Sequence, residues 1–251
     1  MTWRHCNGSS ERAHNRFETH DLTDTLVITG DGSRTLQRDG EESFHSRNGA
    51  LTESLHVFVD GSEVEDRLRA AQATRVLEIG FGSGLNFLLT ADRAIRHGCE
   101  LDYTAYENRL IGVGLFEKLQ HRSHLDHPAI ATHLAQALAA QASAPTVAEQ
   151  LSLSHGCVRL ALRLRDASEA VSGPIRFHRI YHDAFSPNVS PALWTNQFLS
   201  DLVRRLTPGG CLVTYCAKGD VRRALIATGA SVERLPGPPG KREMLRAWAP
   251  G

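Results

Sequence analysis

Acidic residues stand at strand ends in several places along this 251-residue chain, and they are the side chains most able to do chemistry. In RIYHDAFSPNVSPALW, residues 179–194, a strand-like run ends at Asp183 and passes at once into an aromatic, a serine and two prolines. A carboxylate at a buried strand end is unfavourable without a partner, so Asp183 either caps a turn or faces a ligand. LEIGFGSGLNF, residues 77–87, reads as strand, glycine-rich turn and helix. Gly80, Gly82 and Gly84 suit a backbone that turns tightly and approaches a ligand closely, with Phe81 and Asn86 in the same segment. Glu78 precedes the turn inside the strand, where its charge needs a partner such as a cationic amino group. Glu107 ends the next strand at the position where an acid binds ribose hydroxyls, and Asp166 ends a third, where it could accept from an adenine amino group. The alternatives are a ligand-free tight turn and solvated surface acids. Acids at the carboxyl ends of successive strands favour a nucleoside-type cofactor.

These residues need a scaffold, and the hydrophobic pattern supplies one. Residues 1–20 are polar and aperiodic and read as a disordered tail, and residues 21–62 as an N-terminal hairpin and helix. In that segment LVITGDGSRTL reads as a hairpin about Gly30-Asp31-Gly32, and NGALTESLHVFV spaces Leu51, Leu55 and Phe58 as a short helix. Residues 63–251 form the main domain. From Arg75, strands alternate with helices: RVLEIG, LNFLLTADRAIRHG, LDYTAYE and IGVGLFEKLQ. Residues 121–156 read as helix and loop. CVRLALRLRD alternates with period two, as expected near a sheet edge, and RFHRIYHD is a strand unusually polar for a central position. SPALWTNQFLSDLVRRL reads as one amphipathic helix, TPGG ends it, and CLVTYCA and DVRRALIATG follow as strand and helix. SVERLPG and REMLRAWA are joined by a Pro/Gly turn and should pair antiparallel. The result is an α/β, Rossmann-like, mostly parallel sheet that ends in an antiparallel pair. That ending, with RRLTPGGCLV, resembles class I S-adenosylmethionine-dependent methyltransferases more than nicotinamide dehydrogenases.

Composition sets wider bounds. With 41% hydrophobic and 22% charged residues the chain is ordinary globular protein, and no run is long enough to span a membrane. The five cysteines lack CxxC spacing and read as reduced thiols of a cytosolic protein, not a disulfide frame or zinc site. His121, His124 and His127 cluster, but without a nearby Cys or Glu they read as solvated surface, so no metal is expected. The zero net charge hides an acidic first part and a basic remainder, and the basic residues are almost all Arg. Arg suits phosphate contacts, although compositional bias explains the excess equally well.

Four stretches carry a more specific signal: DGSRTLQRDGEESFHSRNGALTESLHVF, LEIGFGSGLNF, YHDAFSPNVSPALW and TYCAKGDVRRALIATGASVERLPGPPGKREMLRA. Together, from about Thr29 to Ala247, they resemble the MnmC/MnmD-type tRNA methyltransferases. The resemblance implies S-adenosylmethionine-dependent methylation of the 5-aminomethyl group of the wobble (2-thio)uridine in tRNA. It implies that the Gly80–Gly84 turn, Glu107 and Asp166 hold the cofactor. Asp183 would hold the acceptor amine and take its proton, and Phe185, with Ser186 and Pro187 in a stiffened loop, would meet the uridine. Lys241, Arg242 and Glu243 would lie beside the site, the two cations near tRNA phosphates. The two-domain members add a flavin-dependent oxidase for which this chain has no room, so the stand-alone form is expected. A methyltransferase for another amine, small molecule or RNA nucleoside, is the alternative, and a catalytically idle RNA-binding module is a further one.

Overall fold

The strand Thr74–Ile79 carries Val76 on one side and Leu77 and Ile79 on the other, all fully buried. A strand that is apolar on both faces must be covered on both. The computed structural model, which describes residues 24–38, 42–144, 148–171 and 173–250, shows that cover. The expected tail at residues 1–20 lies outside the described residues.

The chain runs β1 (Thr25–Ile28), β2 (Arg34–Gln37), α1 (Ala50–Glu53) continuing as a π-helical stretch Ser54–Asp60, α2 (Val64–Arg69), β3 (Thr74–Ile79) and α3 (Leu85–His97). It continues through β4 (Leu101–Glu107), α4 (Val113–Leu119), α5 (Ala129–Ser143), β5 (Gln150–His155), β6 (Val158–Leu164), α6 (Ala167–Ala170) and β7 (Phe177–His182). It closes with α7 (Asn196–Arg204), β8 (Leu206–Thr214), α8 (Gly219–Ala227), β9 (Ser231–Pro236) and β10 (Glu243–Trp248). Strands β1 and β2 pair antiparallel by themselves, and the other eight form one sheet in the order β5-β6-β4-β3-β7-β8-β10-β9. The five strands from β6 to β8 are parallel, β5 flanks them antiparallel on one side, and on the other β10 runs antiparallel to β8 and β9 antiparallel to β10. Apolar residues of α2, α3 and α5 pack on one face with Val76 and Tyr103, and those of α7 and α8 on the other with Leu77 and Ile180. From β3 the chain moves outward to β4 and β6, then returns to lay down β7 and β8 on the opposite side. That reversal leaves a crevice at the carboxyl ends of β3 and β7, where open α/β sheets bind ligands.

The hairpin, the parallel order, the polar central strand and the antiparallel C-terminal pair follow the sequence reading, and two details of the elements differ. Residues 121–156 contain a strand, β5, as well as helix and loop: Leu151 and Leu153 are buried between exposed Gln150, Ser152 and Ser154. Two leucines are too short a pattern to announce it, and pairing with β6 supplies the rest. The segment 190–206 is not one helix. A 3-10 turn, Pro191–Trp194, precedes Thr195, whose hydroxyl accepts from Phe198 N at 3.2 Å and starts α7 afresh, and Leu206 already belongs to β8. The polar residues of central β7 are accommodated individually. His178 Nδ1 accepts from Arg75 N at 2.9 Å, and Arg179 lies over the Trp248 ring at 5.7 Å. The buried His182 ring packs 4.1 Å from that of Trp194.

Gly80, directly after β3, has φ +88°, and a β-carbon there would come within 2.6 Å of the Asp183 backbone oxygen. Gly80→Ala should therefore lower the unfolding free energy by about 1–3 kcal/mol. Urea denaturation measures this, and an unchanged midpoint would show that the turn yields without cost.

Candidate functional site

A cavity of about 700 Å³ opens at the carboxyl ends of the parallel strands, within the range of cofactor sites. Five of its lining residues follow the sheet order: Asp166 after β6, Glu107 at the end of β4, Gly80 after β3, Asp183 after β7 and Tyr215 after β8. The topology alone thus converts acids scattered over some eighty residues of sequence into a row.

The glycine turn is tied to both neighbours. Asp183 N donates to Ile79 O at 3.0 Å, and Gly82 N donates to Glu107 Oε2 at 2.9 Å. Arg109 N donates to the other Glu107 oxygen at 2.8 Å. Burial raises the Glu107 carboxyl, and these backbone donors act against that rise. Asp166 is exposed at the rim, where its Oδ1 caps α6 by accepting from Ser168 N at 2.8 Å.

Beneath the turn, one amide joins two acids. Asn86 Nδ2 donates to Glu78 Oε1 at 2.9 Å and to Asp183 Oδ2 at 2.7 Å. Tyr103 donates its hydroxyl to Glu78 Oε2 at 3.0 Å. Glu78 is wholly buried, and desolvation pushes its carboxyl up to about 8. Asp183 is also raised, by desolvation and then by the charges of Glu78 and Glu53, against Asn86 and Lys241. Among the described residues, the buried Asn86 Oδ1 has no hydrogen-bond partner.

Past Asp183 the wall changes character. Phe185 stands edge-on to Phe44, ring centres 5.6 Å apart, and its carbonyl accepts from Trp194 Nε1 at 2.8 Å. Glu42 accepts from Ser186 N at 3.1 Å and from its hydroxyl at 2.6 Å. Lys241 bonds Glu53, and its ammonium sits 3.9 Å over the Tyr215 ring. His45 accompanies them, its Nδ1 3.1 Å from the Thr35 hydroxyl, and burial lowers it to about 4, so the ring is neutral.

Of the residues singled out from sequence, Gly80, Phe81, Gly82, Glu107, Asp166 and Asp183 line this cavity, joined by Phe185, Ser186 and Lys241. Glu78, Gly84 and Asn86 do not line it: the buried Glu78 pairs with Asn86 and Tyr103 instead of offering a charge to the opening. Pro187, Arg242 and Glu243 are also outside the lining, and Glu243 pairs with Arg234 at 3.5 Å. Sequence reasoning missed the wall built by Arg38, Glu42, Phe44, His45 and Glu53; the middle three fall in the run EESFHSR, which has no period and places nothing by itself. The reading of His121 as solvated surface is corrected. It is buried, its Nε2 lies 3.0 Å from the Ser83 hydroxyl of the glycine turn, and desolvation holds it near 3. Among the described residues there is no cluster of three or more metal-ligating side chains, and no helix is long and apolar enough to cross a membrane.

Comparison with known proteins adds a separate line. Residues 128–250 match the family Methyltransf_30, described as S-adenosyl-L-methionine-dependent methyltransferase. The chain is 34% identical over 228 residues to the tRNA 5-methylaminomethyl-2-thiouridine biosynthesis bifunctional protein MnmC of Aromatoleum aromaticum, covering 88% of this chain and 34% of that protein. The MnmC protein of Paraburkholderia phytofirmans is 33% identical over 234 residues, covering 90% of this chain and 35% of its own length. The chain thus spans about a third of the length of these curated relatives. The crystal structure of MNMC2 from Aquifex aeolicus shares the fold, with TM-score 0.74 at 24% identity over 92% of this chain and 72% of that one.

The cavity fits such a cofactor on its own features. Gly80 and Gly82, both at positive φ, open the backbone at the lining, and the carboxylates of Glu107, Asp166 and Asp183 stand along one side. The carboxyl of Glu78 gives a measurable consequence. Its proton is held more tightly in the folded chain than in the unfolded one, so its contribution to stability is complete below about pH 4.5 and lost as pH rises through about 8. Between pH 5 and 8 the Glu78→Gln protein should lose less stability than the wild type, read from urea midpoints without added cofactor. Parallel pH profiles would contradict the assignment.

Proposed function

We propose that this chain, whose residues 128–250 match an S-adenosyl-L-methionine-dependent methyltransferase family, methylates the exocyclic amine of a 5-aminomethyl(-2-thio)uridine at the wobble position of tRNA. The observation that carries the reading is the position of Asp183. It ends the strand beside the glycine turn, Asn86 fixes one of its carboxylate oxygens, and the other has no partner among the described residues. The relatives named for 5-methylaminomethyl-2-thiouridine biosynthesis in tRNA support the choice of acceptor.

In this reading the turn from Gly80 to Gly84, with Phe81, Glu107 and Asp166, holds the cofactor, and Glu78 and Asn86 support it from beneath. S-adenosylmethionine, when bound, supplies an electrophilic methyl group. Attack on it requires an amine lone pair, and the nitrogen must then lose a proton. The free oxygen of Asp183 accepts an N–H of the amine, which aims the lone pair, and takes that proton. Burial first, and then the charges of Glu78 and Glu53, make Asp183 a stronger base than an exposed aspartate, and so suit it to this transfer. Phe185, buttressed by Phe44, offers the flat face on which a pyrimidine stacks, and Glu42 holds the Ser186 backbone and hydroxyl that shape the loop beside it.

The test is methyl transfer from labelled S-adenosylmethionine to tRNA bearing 5-aminomethyluridine, with mass analysis of the digested nucleosides. One methyl should appear on that nucleoside, and Asp183→Ala should lower the rate by about 10²–10⁴-fold. If cofactor binds but the nucleoside gains nothing, the acceptor is another amine.

A further inference from the structure

The resemblance in sequence places Lys241 against tRNA phosphates, but the structure gives its ammonium a different surrounding. Lys241 comes from the turn between β9 and β10 and bonds Glu53 Oε1, 188 residues away in the chain. Glu53 is 4% exposed, and its second oxygen accepts from Ser46 N at 2.6 Å. The ammonium also lies on the Tyr215 ring, and Tyr215 donates its hydroxyl to Ala184 O, the residue after Asp183, at 2.8 Å. The turn that presents Lys241 fits closely against the N-terminal wall: a β-carbon on Gly240 would fall 1.9 Å from Asn48 Nδ2. The Lys241 side chain is 33% exposed, but its ammonium is already engaged by a buried carboxylate and an aromatic face, and a phosphate would compete with both.

We propose that Glu53 and Lys241 act as a positioning pair for the methyl transfer proposed above, fixing the loop that follows Asp183 and setting the charge around its carboxylate, and that Lys241 makes no phosphate contact. The proposal rests on that functional reading. The charged and titratable groups facing Asp183 are Glu78 from β3, Tyr103 from β4, Tyr215 after β8, Glu53 from α1 and Lys241. Glu53 opposes ionisation of Asp183 and Lys241 favours it. An acceptor amine carrying a proton would respond in the same sense, since Glu53 stabilises its cationic form and Lys241 opposes it. The two members of the pair therefore pull the acid limb of activity in opposite directions, which a purely structural ion pair would not do.

Three readings separate the possibilities. The pH dependence of kcat at saturating cofactor and tRNA should shift its acid limb to higher pH in Lys241→Met and to lower pH in Glu53→Gln. The salt dependence of tRNA binding should keep the wild-type log–log slope in Lys241→Met, whereas loss of a phosphate contact would reduce that slope by about 0.9. Carboxyl-carbon NMR of Asp183 in cofactor-free protein should show its midpoint rising in Lys241→Met and falling in Glu53→Gln. This last reading needs no tRNA, so it distinguishes failure of the pair from failure of the assigned substrate. If Lys241→Met does not fold, Lys241→Gln takes its place. Midpoints that move together or not at all, or a reduced salt slope, overturn the proposal.

Discussion

One amide group sits between two carboxyls in the interior of this fold, and much of the site is arranged around that bond pair. Glu78 and Asp183 end adjacent parallel strands, so their charges are brought together by the sheet itself. In that poorly hydrated place burial holds the Glu78 proton up to about pH 8, and a shared donor ties the two carboxyl groups together. Asn86, in the first turn of α3, supplies that donor to both. The arrangement links the turn geometry, the helix start and the acid at the next strand end, so a change in any of them reaches the others.

The crevice is walled by segments from both the N-terminal and the C-terminal part of the chain. Glu42, Phe44, His45 and Glu53 come from the segment before β3, and Lys241 from the final strand pair. Further contacts clasp the two: His56 Nε2 lies 2.8 Å from Pro236 O, and Arg246 bonds Glu63 and, at 3.2 Å, Gly61 O. A cofactor can be held by the strand ends alone. Beside the row of strand ends stands a second wall, made by the segment before β3 and the final strand pair.

The sequence makes the strand–helix alternation legible because a short apolar run gives way to helical spacing, as in RVLEIG followed by LNFLLTADRAIRHG. It also makes the row Asp166, Glu107, Gly80 and Asp183 legible, since each ends a strand. Strand β5 was hidden by its shortness, and the restart of the helix at Thr195 by an apolar pattern that runs through it. Glu78 and Lys241 show the deeper limit. Their residue types suggested a charge offered to a ligand, whereas their partners Asn86 and Glu53 are set by tertiary packing that local spacing does not encode.

The central claim is that the Asp183 carboxylate aims and deprotonates an acceptor amine in a site that binds S-adenosylmethionine independently of it. The most direct measurement compares wild type with Asp183→Asn, which keeps the shape and loses the basic oxygen, in single-turnover methyl transfer to aminomethyluridine-bearing tRNA, with cofactor affinity measured in parallel. The account predicts retained cofactor affinity and a rate lowered by about 10²–10⁴-fold. A variant that transfers the methyl group at the wild-type rate would contradict it.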